Sequence, residues 1–379
     1  MGAESRALPP PAGLKSGRAH HTKPPFTLAE IKKSIPPHCF RRSILRSFSY
    51  VAHDVAAASL LYYAAANYIH RLPRPLPHLA WPAYWFAQGC VFTGLWGIAH
   101  DCGHHAFSDI QAVDDGVGLI LHSFLLVPYF SFKFSHRRHH SNTNSLDRDE
   151  VYVPKMKSEI HRSIKYLNNP IGRVIMLLIQ LSIGFPLYLI FNASGRRYGR
   201  IANHFDPYSP IYKEGERAAV IISDAAILVV IHALCYLAGA KGVGWLLAVY
   251  GGPMVACNAF VGAITYLQHT HPSLPRYDSS EWEWLKATLS TVDRDYGRVL
   301  NEVFHHTADT HVVHHLFPTI PHYHAVEATA AVKPVLGEHY LFDEMPVVKA
   351  LWRAAKECLY VEREEGGENK GVFWFNYKI

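Results

Sequence analysis

Three short histidine clusters are the part of this sequence whose residue types and spacing could do chemistry. The chain has 26 histidines against 31 acidic residues, and histidine is the commonest metal ligand. Residues three or four apart share one face of a helix, so each cluster can present its imidazoles together. The clusters contain His100, His104 and His105; His136, His139 and His140; and His311, His314 and His315. We predict that these nine histidines bind metal.

The number and type of these ligands favour a pair of iron ions. Imidazole suits zinc, copper, iron and nickel, but a closed structural zinc site needs only four ligands. Two metals with several imidazoles each and open positions fit a dinuclear iron oxidase. Soluble di-iron bundles use two Glu-x-x-His motifs with two further Glu residues, and this sequence does not contain such a pair of motifs. We therefore expect an almost all-nitrogen di-iron centre.

Four acidic residues beside the clusters are candidates for acceptors that fix the imidazole tautomers. They are Asp101, Asp149, Glu150 and Asp309. Arg137, Arg138 and Arg148 are close in sequence, so simple ion pairing is the alternative. For Asp149 and Glu150 the two interpretations carry equal weight.

Six apolar stretches must position these clusters. Apolar residues make up 49% of the chain and charged residues 18%, and a spanning helix needs about 20 mostly apolar residues. The stretches cover 50–69, 81–99, 116–132, 172–193, 218–240 and 244–268. The third is short, and Gly184 and Pro186 interrupt the fourth.

The clusters can share one metal centre only if all three face the same side of a membrane. Six spans would put the second cluster opposite the other two. If the third and fourth stretches lie in the interface or re-enter, four spans remain and the clusters meet. We predict an all-α membrane protein with four transmembrane helices, two interfacial or re-entrant apolar segments and a histidine-rich di-iron cap.

The domain organisation and orientation follow from these spans. Residues 1–48 are expected to form a cytosolic tail with a short amphipathic helix, and 49–379 a single membrane-bound domain. Its catalytic cap would comprise about 100–217 and 269–379. Lysines and arginines precede the first span, whereas the connectors between paired spans carry few. The positive-inside rule then places the histidine face and both termini in the cytosol.

Charge and cysteine content exclude other classes of protein. The formal charge of +6 fits anionic lipid headgroups or an acidic partner, and no separate basic domain suggests nucleic acid. The six cysteines are scattered without a C-x-x-C pair. They predict packed, reduced thiols rather than a disulfide scaffold or a zinc-thiolate site.

Four motifs closely resemble the plant microsomal oleate Δ12 (omega-6) desaturase family. They are HDCGHHAFSD (100–109), SHRRHHSNTNSLDRDEVYVPK (135–155), ITYLQHTHPSLPRYDSSEWEWLKATLSTVDRDYG (264–297) and DTHVVHHLFPTIPHYHAVEAT (309–329). The resemblance runs from about residue 24 to the C-terminus. It implies an endoplasmic-reticulum enzyme that desaturates acyl chains, oleoyl or palmitoleoyl, on phosphatidylcholine, with O₂ as co-substrate. Electrons would come from cytochrome b5 and its NADH-dependent reductase; the sequence contains no H-P-G-G haem motif, so the donor would be a separate protein.

The resemblance also assigns roles to particular residues. It implies that the nine cluster histidines are iron ligands, and that a further histidine after the last span completes the set. His269 is the first candidate for this position, His271 the next and His305 the third. The chain departs from the usual pattern beside the clusters, and these changes put regiochemistry and product in doubt. The departures are Asp101 for Glu, Asn144 for Gly, His306 for Asn, Val313 for Ala and Pro318 for Ser.

Three alternatives stay open at this point. The family includes hydroxylase, epoxygenase, acetylenase and conjugase relatives, whose products are hydroxy, epoxy, acetylenic or conjugated fatty acids. A non-redox membrane hydrolase would hold one zinc with three or four ligands. A desaturase-like scaffold would have no activity. Homo- or hetero-oligomers with other desaturases are a further open question.

Overall fold

The computed structural model describes residues 17–161, 164–363 and 371–378. The helices in this part of the chain are α1 (Leu28–Ser34), α2 (Ile44–Tyr68), α3 (Pro77–Gly103), α4 (Gln111–Phe124), α5 (Tyr129–Asn142), α6 (Ile164–Leu167), α7 (Pro170–Phe191), α8 (Arg217–Lys241), α9 (Val243–Leu246), α10 (Gly252–His269), α11 (Trp284–Thr288), α12 (Arg298–Val303), α13 (His311–Leu316), α14 (His322–Leu336) and α15 (Val347–Glu357). The strands are β1 (Pro275–Tyr277), β2 (Asp293–Arg294), β3 (Phe342–Asp343), β4 (Tyr360–Arg363) and β5 (Val372–Asn376).

The long helices begin and end at residues whose chemistry suits those positions. The Ser43 hydroxyl accepts the Arg46 N–H at the start of α2. Asn169 caps α7 in the same way, and Pro170 stands at the first helical position, where no N–H is needed. Asn192 ends α7 in the left-handed conformation. These local signals set helix bounds, whereas the position of each helix depends on packing.

Helix α3 lies at the centre of the bundle because its glycines allow close approach. A Cβ atom on Gly89 would lie 2.4 Å from Cβ of Ala256 in α10. A Cβ on Gly94 would lie 2.6 Å from the Val303 carbonyl oxygen at the end of α12. Both distances are below van der Waals contact, so a side chain at either position would push the helices apart. Helix α3 therefore packs closely against α10 and against the end of α12.

The helices long and apolar enough to cross a membrane differ in part from the expected set. In the described part of the chain three continuous segments meet both criteria: Pro170–Phe191, Glu214–Lys241 and Val243–His269. The last two contain the predicted spans 218–240 and 244–268. Helices α2 and α3, over the predicted spans 50–69 and 81–99, are long enough, but their tyrosines, glycines and histidines lower the hydropathy.

The segment 172–193, expected to lie in the interface or re-enter, forms the continuous helix α7, which is long and apolar enough to span. Gly184 and Pro186 lie within it without breaking it. Helices α4 and α5 meet at a bend of 107°. Leu126 at the bend has a φ of 56°, and Pro128 precedes α5. The apolar stretch 116–132 therefore turns back on itself.

Two small sheets correct the all-α prediction. Strands β1, β5 and β4 form an antiparallel sheet, and β2 and β3 form a parallel pair. Each strand is only two to five residues long, too short to give an alternating pattern that sequence reasoning could use. The remaining described chain is mostly helical.

The N-terminal segment packs against the cap. Residues 1–16 of the predicted tail lie outside the described residues. Helix α1 begins with a capping box between Thr27 and Glu30. Its Ile31 is fully buried, in one apolar cluster with Val312 of α13 and Leu336 of α14. The third histidine cluster therefore packs against this segment.

Candidate metal centre

Five imidazoles come together at the ends of three helices. They belong to His100 and His104 at the end of α3, His136 and His140 of α5, and His314 of α13, and their ligand nitrogens all lie within 4.8 Å of one another. Nε2 of His136 is 2.8 Å from Nε2 of His100 and 3.1 Å from Nε2 of His140. We call this set the five-histidine group.

A second set lies beside the first. His139, His269 and His315 also have ligand nitrogens within 4.8 Å of one another. Nε2 of His269 is 3.3 Å from Nε2 of His139 and 3.1 Å from Nε2 of His311. We call His139, His269, His311 and His315 the four-histidine group.

Neighbouring residues on one helix supply different groups. His139 and His140 are consecutive in α5, and successive side chains on a helix point about 100° apart. They therefore face separate groups, whereas His136 and His140, four apart, face the same one. His314 and His315 divide in the same way. The rings of His140 and His315 stack at 4.1 Å between centroids, so the two groups are in contact.

The donor atoms fit metal ions. Nε2 of His104, His314 and His315 is buried without a hydrogen-bond partner among the described residues, and a buried unpaired nitrogen is costly. Burial, then His139 and His100, lowers the pKa of His311 to about 3. Burial and neighbouring imidazoles also lower the pKa of His314 and His315 well below the usual range. These three imidazoles are therefore neutral at pH 7, the form that binds metal.

Two of the four predicted acidic residues contact these histidines. Asp149 Oδ1 accepts Nδ1–H of His139 at 2.7 Å, and both side chains are buried. Asp101 lies 3.5 Å from Nδ1 of His100 and 3.1 Å from Nδ1 of His322. A carboxylate on Nδ1 leaves Nε2 with its lone pair toward the group.

The other two acids have different partners. Glu150 accepts the Tyr198 hydroxyl at 2.6 Å and lies 3.6 Å from Arg196. Asp309 pairs with Nδ1 of His306 at 2.9 Å, and this contact is the first cause that raises the pKa of His306. Neither acid has a recorded hydrogen bond or ion pair with the nine predicted histidines.

His105 belongs to neither group. It follows the end of α3 with a φ of 60°, which turns its ring away from His104. Its Nδ1 lies 2.7 Å from Oδ2 of Asp114, and its carbonyl oxygen accepts Nη1–H of Arg42 at 2.6 Å.

Of the three further candidates, His269 alone enters a group. His271 accepts the Ser273 N–H on Nδ1 at 3.0 Å. His305 pairs through Nε2 with Asp54 of α2 at 2.7 Å. Only His269 lies at the end of α10. The close contact of α10 with α3 places this residue beside the other members of the four-histidine group.

Sequence reasoning missed two supporting residues. His322, at the start of α14, donates its backbone N–H to Asp101 at 3.2 Å, in addition to the ring contact. Thr143 lies 3.2 Å from Nδ1 of His315 through its hydroxyl. His322 follows the third cluster by seven residues, and no periodic spacing connects the two. Thr143, four residues after His139 on α5, could have been found from helix periodicity.

An apolar cavity of about 440 Å³ reaches the five-histidine group. Trp96, Phe132 and His136 line the end that meets this group, which we call the inner end, and Gly184 and Gly262 are among the other lining residues. Trp96 stacks on His100 at 5.3 Å, and Phe132 on His136 at 5.0 Å. The cavity has the size and apolar lining of a ligand site.

Comparison with known proteins gives consistent results. Residues 79–345 match the model of a family described as fatty acid desaturase, and residues 17–62 match a domain of unknown function. The chain is 62% identical to a Δ12 fatty acid desaturase of Vernicia fordii over the full length of both. It is 60% identical, again over full length, to an endoplasmic-reticulum omega-6 fatty acid desaturase of Glycine max. A Δ12 acyl-lipid conjugase (11E,13E-forming) of Momordica charantia is 57% identical over all of this chain and 97% of its own.

Proposed function

The chain belongs to the fatty acid desaturase family, and from that premise we propose that it is a membrane-bound Δ12 (omega-6) acyl-lipid desaturase. Its reaction introduces a cis double bond into a monounsaturated chain, oleoyl or palmitoleoyl, on phosphatidylcholine. The observation that carries the proposal is the apolar cavity whose inner end is His136 of the five-histidine group. A lipid chain in this cavity would present one methylene pair to the group.

The cavity residues would select which methylene pair reacts. Trp96 and Phe132 have few rotatable bonds, and stacking on His100 and His136 fixes their rings. An acyl chain has no polar handle near its middle, so its position depends on the shape of the cavity alone. An error of about 1 Å in the position of a reacting group can cost about 100-fold in rate.

We propose that the five-histidine group binds one iron and the four-histidine group the other. The two bound irons would supply the activation of O₂ that removal of hydrogen from an unactivated methylene pair requires. Nine imidazoles in two touching sets support two metals over one zinc, which needs only four ligands. His269 then completes the ligand set, which otherwise consists of histidines from the three sequence clusters.

His105, Asp101 and Asp149 would position ligands rather than bind metal. Asp149 and Asp101 orient His139 and His100 through Nδ1. His105 has Asp114 on its ring and Arg42 on its carbonyl, which would hold the turn after His104. Glu150 and Asp309 would stabilise the cap through their own partners.

The overall reaction balances if a separate protein delivers two electrons. The two hydrogens of the substrate, two further electrons and two protons reduce O₂ to two waters, and the substrate gains its double bond. We propose that the electrons come from cytochrome b5 and its NADH-dependent reductase, so the donor must reach the histidine side of the molecule. A cytosolic histidine side in the endoplasmic reticulum would allow this.

We retain the four-span topology, with α2, α3, α8 and α10 as spans. Contacts of α7 support this choice. Leu167 and Asn168, just before α7, line the cavity with Cys358 of the cap. Near the other end, Tyr188 lies 3.3 Å from Ser135 of α5 through its hydroxyl. Because both ends of α7 contact the histidine side, α7 would lie along this side rather than cross.

Glycosylation mapping tests the topology. An Asn-x-Thr acceptor in the connector 69–76 should be glycosylated because it would face the lumen. The same acceptor placed in 204–210, beside the cap, should stay unmodified. Modification of the second acceptor would contradict the four-span arrangement.

Expression in yeast, which makes palmitoleate and oleate but no dienes, tests the function. We expect 16- or 18-carbon dienes with the new double bond at Δ12, and none from a His139→Ala variant of equal abundance. A hydroxylated or conjugated product would assign the chain to a divergent subfamily, as the conjugase relative illustrates. Wild-type protein that yields no new acyl species would refute the proposal, and one zinc per chain in place of iron would refute the metal assignment.

A further inference from the structure

A third cluster of metal-ligand side chains lies on the cap, apart from the two histidine groups. It contains His38 and Cys39 from the turn Pro37–Phe40, and His324 and Glu327 from α14. One ligand atom from each lies within 4.8 Å of every other. None of these residues belongs to either histidine group.

The cluster has defined internal geometry. Nε2 of His38 is 2.9 Å from Oε2 of Glu327, and the rings of His38 and His324 meet edge to face at 5.4 Å. His324 and Glu327 are three apart on α14 and so share one face of that helix. Cys39 is fully buried beneath them. Two imidazoles, a carboxylate and a thiol thus converge from two elements that are nearly 300 residues apart.

We propose that His38, Cys39, His324 and Glu327 form a structural zinc site. Thiolate, imidazole and carboxylate are the zinc ligands of proteins, and four of them close a tetrahedral site. With bonds of about 2.0–2.3 Å, the ligand atoms of such a site stand about 3.3–3.8 Å apart. The ligand atoms now lie within 4.8 Å of one another, and His38 and Glu327 are about half exposed, so rotation of these two side chains would bring the atoms to that spacing.

Charge also favours a divalent cation. Bound zinc removes the Cys39 proton to solvent, and the resulting thiolate with the Glu327 carboxylate balances the two positive charges. Without a cation, burial and then Glu327 raise the pKa of Cys39 to about 11. Zinc reverses that preference by stabilising the thiolate.

The site would join the N-terminal segment to the helix that follows the third histidine cluster. Cys39 shares its apolar cluster with Val312 and Leu316 of α13, and α14 begins shortly after α13. A metal at this position would hold both elements against the cap and would perform no redox step. The inference does not depend on the reaction proposed above.

Cobalt substitution tests the site. Iron-loaded full-length protein with reduced thiols is titrated with Co²⁺, whose bond to a thiolate gives a charge-transfer absorption. We expect one equivalent to bind with this absorption and to be displaced by one equivalent of Zn²⁺, with the iron content unchanged. No such absorption, or absorption accompanied by loss of iron, would overturn the proposal.

Variants identify the ligands. Cys39→Ser should abolish the absorption, and His324→Asn and Glu327→Gln, at exposed or half-buried positions, should weaken cobalt binding by at least roughly tenfold. His20→Asn is the matched control, because His20 pairs with Glu338 at 3.1 Å without a thiol. If Cys39→Ser fails to fold, the cobalt affinities of His324→Asn and Glu327→Gln test the proposed ligands. Binding that survives both, or that His20→Asn weakens equally, would refute the assignment.

Discussion

Replacement of Asp149 by Asn should release iron without removing a ligand. The buried Asp149 carboxylate accepts four hydrogen bonds. Its Oδ1 accepts His139 Nδ1–H at 2.7 Å and the Val151 and Tyr152 N–H groups at 3.0 and 3.3 Å. Its Oδ2 accepts the Asn144 N–H at 3.0 Å. An amide has one acceptor oxygen, so at least one of these donors would face an NH₂ group.

The expected weakening of iron binding follows from the hydrogen bond that the amide cannot accept. In the less costly orientation the amide oxygen keeps the three donors on Oδ1 and the Asn144 N–H loses its partner. A buried donor left unpaired costs about 1–3 kcal/mol. His139 would donate to a neutral oxygen, which lowers the basicity of its Nε2. Loss of such a partner typically weakens metal binding about 10–100-fold, or about 1.4–2.8 kcal/mol.

The assay is iron content after dialysis against a graded series of chelator concentrations. Asp149→Asn should lose half its iron at a chelator activity about 10–100-fold lower than wild type. Asp147→Asn is the matched control, because Asp147 is two residues away and, among the described residues, accepts hydrogen bonds only from exposed Ser279. Superimposable curves for wild type and Asp149→Asn, or an equal loss from Asp147→Asn, would refute the reasoning.

Three further outcomes are expected. His269→Gln should abolish diene formation in yeast and lower iron content, whereas His271→Gln, outside both groups, should retain both; equal losses would contradict the assignment of His269. Gly262→Leu would add a side chain to the cavity wall near the Gln180 carbonyl and should lower the ratio of 18- to 16-carbon dienes, while an unchanged ratio with normal abundance would exclude this cavity as the acyl site. Iron-free protein should lose stability as pH falls from about 6.5 toward 3. His311 has a pKa of about 3 in the folded protein, so over this range it binds a proton in the unfolded chain but not in the folded one. Each pKa unit is worth about 1.4 kcal/mol, and a melting temperature that is flat between pH 7 and 4 would contradict this.

The sequence by itself determined the chemistry and the family. Histidine spacing on a helix is a local property, so sequence reasoning could identify His136, His139 and His140 as neighbours. The apolar lengths likewise indicated a membrane protein, and the motifs indicated its family. The family is confirmed, and the ligand roles stay predictions.

The tertiary structure decided which neighbours share a group. The division of His139 from His140 depends on where α3, α10 and α13 meet α5, and that meeting depends on glycine contacts such as Gly89 with Ala256. The choice of His269 over His305, and the departure of His105, follow from contacts too distant in sequence for any spacing rule. Helix α7 is continuous through Gly184 and Pro186, although both residues suggested an interruption, and its position along the histidine side stays a prediction.

Cys39 illustrates the same limit. The scattered cysteines without a C-x-x-C pair predict packed, reduced thiols, and Cys39 is packed. Only the fold brings His324 and Glu327 of α14 to it, because their approach depends on the apolar packing of α1 against α14 rather than on any local pattern. Local spacing therefore fixed what each histidine cluster could do, and long-range packing decided which side chains act together.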